Sequence, residues 1–311
     1  PASRPAQSAA ITPTYYGSPI GANHPPYTSW ANAATSLQAI VDYVPSASTI
    51  LVAAATYPLT SQLSISKPLL LKSQDGPAAT LLDGGNSTRV LFLSHAGAVV
   101  DGFTLQRGNS GSSSGGGARI EPAGALVNCI IRSNTTQKSG GGATLLGDGE
   151  LRNCLVYGNS ANSERGGGVY TYTESGAPLD QSCTFSANAS NEGGGAYLLN
   201  AAVLRNSIAW DNSASWGSNI ILSGSGHTLQ ANTTYFIRVA RDTGTLFALV
   251  AETTADTGLP GWSIGDRAWL DKIGIWSTAI PTFAVETGAV PEPSTAALAL
   301  GAAALGVVLY R

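Results

Sequence analysis

The stretch Gly140–Asn159, GGGATLLGDGELRNCLVYGN, opens on three glycines and closes on an asparagine, with only short apolar runs and small residues between. No run in it supplies the ten or more periodic residues that a helix requires, so it reads as turns joining short strands. The same text recurs. Triple glycines begin at Gly115, Gly140, Gly166 and Gly193, at spacings of 25, 26 and 27 residues. Between them LVNCIIRSN, LRNCLVYGN, DQSCTFSAN and LRNSIAWDN place Cys129, Cys154, Cys183 and Ser207 in one column and Asn134, Asn159, Asn188 and Asn212 in another, always five residues apart. A fixed offset inside a drifting period marks a structural repeat. Each unit is one coil, stable only when its backbone pairs with coils about 4.8 Å above and below.

The columns have a physical meaning. A small thiol repeated at one position suits a packed interior stack, where free cysteine behaves as a small hydrophobe. Asparagine repeated at a turn is expected to take the left-handed conformation and to bond its amide to the asparagine one coil away. The glycines turn the chain at positive φ, where a Cβ would clash. All three columns are read as structural ladders. Upstream, TILVAAATY, LSISKPLLLKS, ATLLDGG, RVLFLS and AVVDGFTLQRGN continue the coils less regularly. Before them, Leu37, Ile40, Val41 and Val44 fall at helical spacing within Thr35–Val44, which predicts a short amphipathic helix over the open end of the stack.

Composition supports an all-β chain. Of 311 residues, 37 are glycine and only 11% are charged, and the formal net charge of −3 carries no basic block, which excludes a nucleic-acid-binding surface. Three cysteines make neither a disulfide framework nor a zinc motif. The chain holds no methionine, so Pro1 is expected to be a processed or truncated end from which a signal peptide has been removed.

On these residues, the region from Ser29 to Asn212 resembles the right-handed parallel β-helix repeat proteins of the bacterial envelope. The resemblance implies an exported solenoid; the family includes polysaccharide lyases and hydrolases as well as members without known activity. A segment from Thr228, rich in longer alternating strands and carrying Trp262, Trp269 and Trp276, is similar to the C-terminal half of choice-of-anchor R domains. It is expected to form antiparallel strands that cap the last coil. The end, VPEPSTAALALGAAALGVVLYR, resembles the PEP-CTERM sorting signal read by exosortase enzymes of Gram-negative bacteria. Val290, Pro291, Glu292, Pro293 and Ser294 would form the recognition motif, Ala296–Tyr310 an apolar transmembrane helix, and Arg311 its basic stop. As a helix, the uncharged run from Thr295 to Tyr310 would span about 24 Å, short of the roughly 30 Å hydrocarbon core, which suits a temporary hold better than a permanent anchor.

The expected division is therefore 1–28 leader and linker, 29–222 β-helix, 228–288 antiparallel half-domain and 289–311 sorting signal. The expected setting is the cell envelope or its exterior, with transient inner-membrane anchoring. Expected partners are exosortase, extracellular polysaccharide or other envelope components, and the membrane through the tail.

Catalytic patterns are sparse. A lyase requires clustered carboxylates for calcium with a nearby base, and a glycoside hydrolase requires two or three acids held together. The acids of the repeats read instead as single residues beside turns, Asp180 among them, with Asp148 and Glu150 in one loop. Asp83 and Asp101, each before a glycine and after an apolar strand, are the weak catalytic candidates. His24, His95 and His227 are too scattered for a metal site, and no cofactor is expected. Lys138, Arg165, Arg119, Glu164 and Glu192 lie near the glycine columns and are read first as solvated charge, and second as a polar edge on one face that binds sugar. Tyr170, Tyr172 and Tyr197 follow successive triple glycines and are the candidates to face a glycan, with one of Tyr170 and Tyr172 expected to point inward.

Overall fold

The computed structural model describes the chain continuously over residues 13–173, 178–200 and 202–223. Over these residues it is a parallel β-solenoid. One coil shows the plan: Ala123–Val127 lies in sheet 1, Ile130–Arg132 in sheet 2, Thr135–Thr136 in sheet 4 and Ala143–Leu146 in sheet 3. Sheet 1 stacks eight strands from Thr14–Gly17 to Val203–Arg205, and sheet 2 stacks seven from Ala55–Pro58 to Ile208–Trp210. Sheet 3 stacks seven from Leu63–Ile65 to Ile220–Ser223, and sheet 4 stacks four from Thr135–Thr136 to Ser213–Trp216. The pairings within them are parallel.

Alternation along each short strand sends every second side chain inward, and in-register pairing stacks these into continuous columns. One runs Ile50, Leu71, Val100, Leu126, Leu151, Asp180, Leu204 up sheet 1. Another runs Ile65, Leu93, Ile120, Leu145, Thr171, Leu198 up sheet 3. Both are apolar except on two consecutive strands, where Thr171 and Asp180 replace leucine. Asp180, read from the sequence as a turn acid, is fully buried in the interior.

Cys129, Cys154 and Cys183 are buried free thiols, and each donates to the carbonyl two residues before it, at 3.2, 3.4 and 3.3 Å. Ser207 continues the column, donating to Arg205 O and accepting from Cys183 N. Burial pushes the Cys154 thiol, in the middle of the stack, well above its ordinary pKa, and the column serves the interior as packing.

The turns correct one expectation. The ladder asparagines are not left-handed; the residue before each one is. Ser133, Gly158, Ala187 and Asp211 have φ of 53, 62, 51 and 53°, and Asn128, Asn153, Ser182 and Asn206 make the same turn before the cysteine column. With the turn made one residue earlier, each asparagine amide reaches inward. Asn134 Nδ2 donates to Asn159 Oδ1, Asn159 Nδ2 to Asn188 Oδ1 and Asn188 Nδ2 to Asn212 Oδ1, at 3.0, 2.9 and 2.9 Å. The second N–H of each goes to Leu105 O, Ile131 O and Val156 O.

The first glycine of each triplet does turn at positive φ, from 79° at Gly115 to 61° at Gly193. The later two are needed for space: a Cβ on Gly142 would lie 2.5 Å from Gly168 O and 3.0 Å from Asn159 Nδ2. A Gly142→Ala substitution is therefore expected to cost about 2 kcal/mol or more, because only backbone and the ladder are there to move, and a urea titration would read it as a lowered midpoint. An unchanged midpoint would mean the coils give way more easily than this packing implies.

The predicted helix forms over Leu37–Tyr43, with Ser36 Oγ accepting from Ala39 N at its start. Leu37, Ile40 and Val41 join the core of the first coils beside Ile50 and Leu63. Within 1–28, expected to be leader and linker, residues 13–28 are part of the solenoid. Thr14–Gly17 is a strand paired in register with Thr49–Val52, and Tyr27 is buried in the core. The antiparallel half-domain 228–288 and the sorting signal 289–311 lie outside the continuously described residues. Among the described residues, no helix is long and apolar enough to cross a membrane.

Candidate functional site

The two acids favoured by sequence, Asp83 and Asp101, are both engaged in hydrogen bonds and ion pairs between coils. Asp83 is 2% exposed, and its carboxylate accepts from Gly85 N at 2.9 Å, from Gln106 Nε2 at 2.7 Å and from the Arg107 guanidinium. Burial pushes this carboxyl up, but the hydrogen bonds from Arg107, Gly85 and Gln106 and the arginine charge outweigh it, so its pKa is lowered overall. Gln106 passes the string on to Arg132, whose other branch meets the Tyr157 hydroxyl, tying four coils together on the outside of sheet 2. Asp101 accepts from Asn128 Nδ2 at 2.7 Å and bridges Lys72 at 3.4 Å, and Asn153 extends that chain. Among the described residues, neither acid has a second carboxylate as a partner. Asp148 and Glu150 sit in strand Asp148–Arg152 and not in a loop, and Glu150 bridges Arg152. Among the described residues, no group of three or more His, Cys, Asp and Glu could hold a metal. His24 and His95 are apart from such groups, and His227 lies outside the described residues.

The structure does bring the tyrosines and the polar edge together. Val169 and Thr171 point inward, so Tyr170 and Tyr172, two residues apart, share the outer face of sheet 3; the expectation that one of them turns inward fails on the period of the strand itself. Tyr197 pairs in register with Tyr170, their ring centroids 5.9 Å apart at a tilt of 34°. Tyr197 is nevertheless only 5% exposed. The Arg165 guanidinium lies 5.0 Å over its ring, which makes Tyr197 a support for the surface and leaves the half-buried Tyr170 and Tyr172 as the accessible aromatics.

Arg165 is held from its other side by Glu192, Nε to Oε2 at 2.8 Å, and this bond raises its pKa. One coil earlier, Glu164 takes Lys138 at 2.7 Å and Ser139 at 2.8 Å. The Lys138 bond and its charge hold the Glu164 carboxyl below its ordinary range despite some burial, so at neutral pH it is an anion and no proton donor. Burial pushes the Tyr170 phenol up, keeping it a neutral hydroxyl.

These groups line one longitudinal edge. Successive backbone bonds from Gly115 to Ser139, Gly140 to Arg165, Gly166 to Glu192 and Gly193 to Trp216 put Ser139, Arg165, Glu192 and Trp216 in a single file. Trp216, 59% exposed, is not among the residues that the sequence motifs single out, although IAWDNSASW carries two tryptophans at the last coil. Arg119 meets Glu121 beside the same glycines. Flat aromatic surface flanked by fixed charged hydrogen-bonding groups suits stacking and bonding to a sugar ring.

A scan against protein-family models finds no match, and a search of curated proteins finds none. Among solved structures, a pectate lyase, Pel9A, is similar with a TM-score of 0.48 at 16% identity, over 70% of this chain and 55% of that one. The chain thus spans about half the length of that structure, and the likeness extends to the fold alone.

Proposed function

We propose that this chain is an exported envelope protein, a right-handed β-helix whose edge binds surface polysaccharide or neighbouring envelope components without catalysis. One observation carries the reading: Tyr170 and the exposed Trp216 stand on the same edge as Arg165, which is locked between Glu192 and the Tyr197 ring. A non-catalytic role is favoured because Asp83, Asp101 and Glu164 are each committed to cations and amide or hydroxyl donors that hold the coils in register. The address comes from the tail, which the exosortase reading makes a transient membrane hold that is cut near Pro291–Pro293.

Glycan binding is expected to fall about tenfold in Tyr170→Ala and in Trp216→Ala, each the loss of one stacking ring. Titration of the full chain with oligosaccharides of the host's exopolysaccharide measures it, and unchanged affinity in both variants would remove the assignment. Incubation with pectin, alginate and the same exopolysaccharide tests the absence of catalysis; release of unsaturated or reducing ends would establish a lyase or hydrolase instead. For the tail, the C-terminal mass of the mature chain in hosts with and without exosortase decides, and an intact Arg311 in both would end the sorting reading.

A further inference from the structure

The same edge continues toward the N-terminal coils and opens there into a cleft of about 480 Å³, lined by Gln62, Thr88, Arg89, Asn109 and the serines of the 110–113 loop. Among its lining is a cation whose direct hydrogen bonds all go to neutral groups. Arg89 donates to Gly115 O at 2.9 Å, Ser114 O at 2.9 Å and Gln62 Oε1 at 2.7 Å, all neutral acceptors. Three of the five guanidinium N–H groups are used in this way. The acid in its neighbourhood, Glu121, is already taken by Arg119, so two guanidiniums share one carboxylate. Burial first, and then repulsion from Arg119, lower the Arg89 pKa, and attraction to Glu121 offsets them only in part. A half-buried cation of this kind gains most from an anion that arrives with the ligand. The rest of the lining is hydroxyl and amide, groups that bond sugar hydroxyls in either direction.

We infer that this cleft binds the anionic group of an acidic sugar unit, carboxylate or sulfate, with Arg89 as its counter-charge. The inference rests on the proposed glycan binding and extends it along the edge. Arg89 bonds Ser114, Ser114 precedes the Gly115 that bonds Ser139, and Ser139 leads on to Arg165. The cleft therefore lies three coils, about 14 Å, from the aromatic surface. A single saccharide strand laid along the stack reaches both.

The test uses the full chain at low ionic strength with three probes: oligogalacturonate for carboxylate, a sulfated galactan oligomer for sulfate, and a neutral galactan oligomer. At least one acidic probe is expected to bind tenfold or more tighter than the neutral one, and the tighter of the two identifies the group. Arg89→Gln is expected to abolish that preference. Because Arg89 also anchors the 114–115 turn, Ser112→Glu serves as the second variant. It places a carboxylate at the exposed mouth of the cleft, leaves the Arg89 bonds untouched, and is expected to cost the acidic probe the same tenfold. Neutral binding with no acidic preference in the native chain, or an acidic preference that survives both variants, overturns the inference and leaves the proposed function standing. Failure of all three probes to bind overturns the inference, and the exopolysaccharide titration decides the proposed function separately.

Discussion

Replacing Asn159 by leucine, close to it in size, is expected to destabilise the solenoid by about 4 kcal/mol, because two buried donors lose their acceptor together. Asn159 Oδ1 accepts both Asn134 N and Asn134 Nδ2 at 3.0 Å, and neither finds another oxygen once the amide is gone. Its own Nδ2 satisfies Ile131 O, a buried strand carbonyl, and Asn188 Oδ1. Leucine adds apolar burial but fills none of these, and a hydrophobic gain of roughly 2 kcal/mol does not offset donors left dry. The effect should be graded by position. Asn212 Oδ1 accepts the equivalent two donors, Asn188 N and Nδ2 at 3.0 and 2.9 Å, but Asn212 at the last rung is 8% exposed and reaches Asn219 in a turn that solvent also reaches, so Asn212→Leu should cost less. Urea unfolding of the two variants measures the difference. Equal midpoints would mean that the ladder acts as a row of independent turns and not as a buried chain.

That ladder is legible in the amino-acid sequence because each rung demands the same chemistry, an amide with two donors and one acceptor at a fixed offset from the thiol column. The left-handed residues beside it are hidden for the opposite reason. Arg107, Ser133, Ala187 and Asp211 all adopt φ near 50°, and one left-handed residue is tolerable for several side chains when its neighbours fix it, so no periodic identity marks the turn. The strand Thr14–Gly17 escapes a repeat search because it belongs to no repeat and is specified only by the edge it covers. The accessibility of Tyr197 depends on where the Arg165 side chain of the preceding coil lies, which spacing does not encode. The Arg89 cleft is shaped by the 110–113 loop, which falls between the coil signals and offers only serine and glycine to a motif search. Asp180 is legible, and reading it as a turn acid is a mistake of register. Aligned under Leu126 and Leu151 by the cysteine column, its place is the interior.

Asp180 supplies the other large effect, a stability that falls as pH rises through the weakly acidic range. Burial lifts its carboxyl from 3.8 to about 7, opposed by one hydrogen bond, Thr171 Oγ1 to Oδ2 at 3.0 Å. The neighbours in its column are Leu151 and Leu204, which offer no charge, and Oδ1 has no partner among the described residues. The sign follows from proton binding. Between about 3.8 and 7 the folded chain holds a proton on Asp180 that the unfolded chain has released, so its neutral form favours the fold at the acid end. That advantage is lost as pH climbs through 7, after which an ionised carboxylate sits in an apolar column. The swing is on the order of 4 kcal/mol. Other carboxylates act the opposite way: Asp83 and Glu164, with lowered pKa values, withdraw stability as pH falls through them. Only a difference curve isolates the buried group. Asp180→Asn keeps an acceptor for Thr171 and cannot ionise. Its unfolding free energy minus that of the native chain should be small at pH 4, rise between pH 4 and 7, and stay positive and level above. A difference flat across that range would show that the Asp180 charge is compensated in the folded chain, and the break in the apolar columns at Thr171 and Asp180 would then be neutral to stability at every pH.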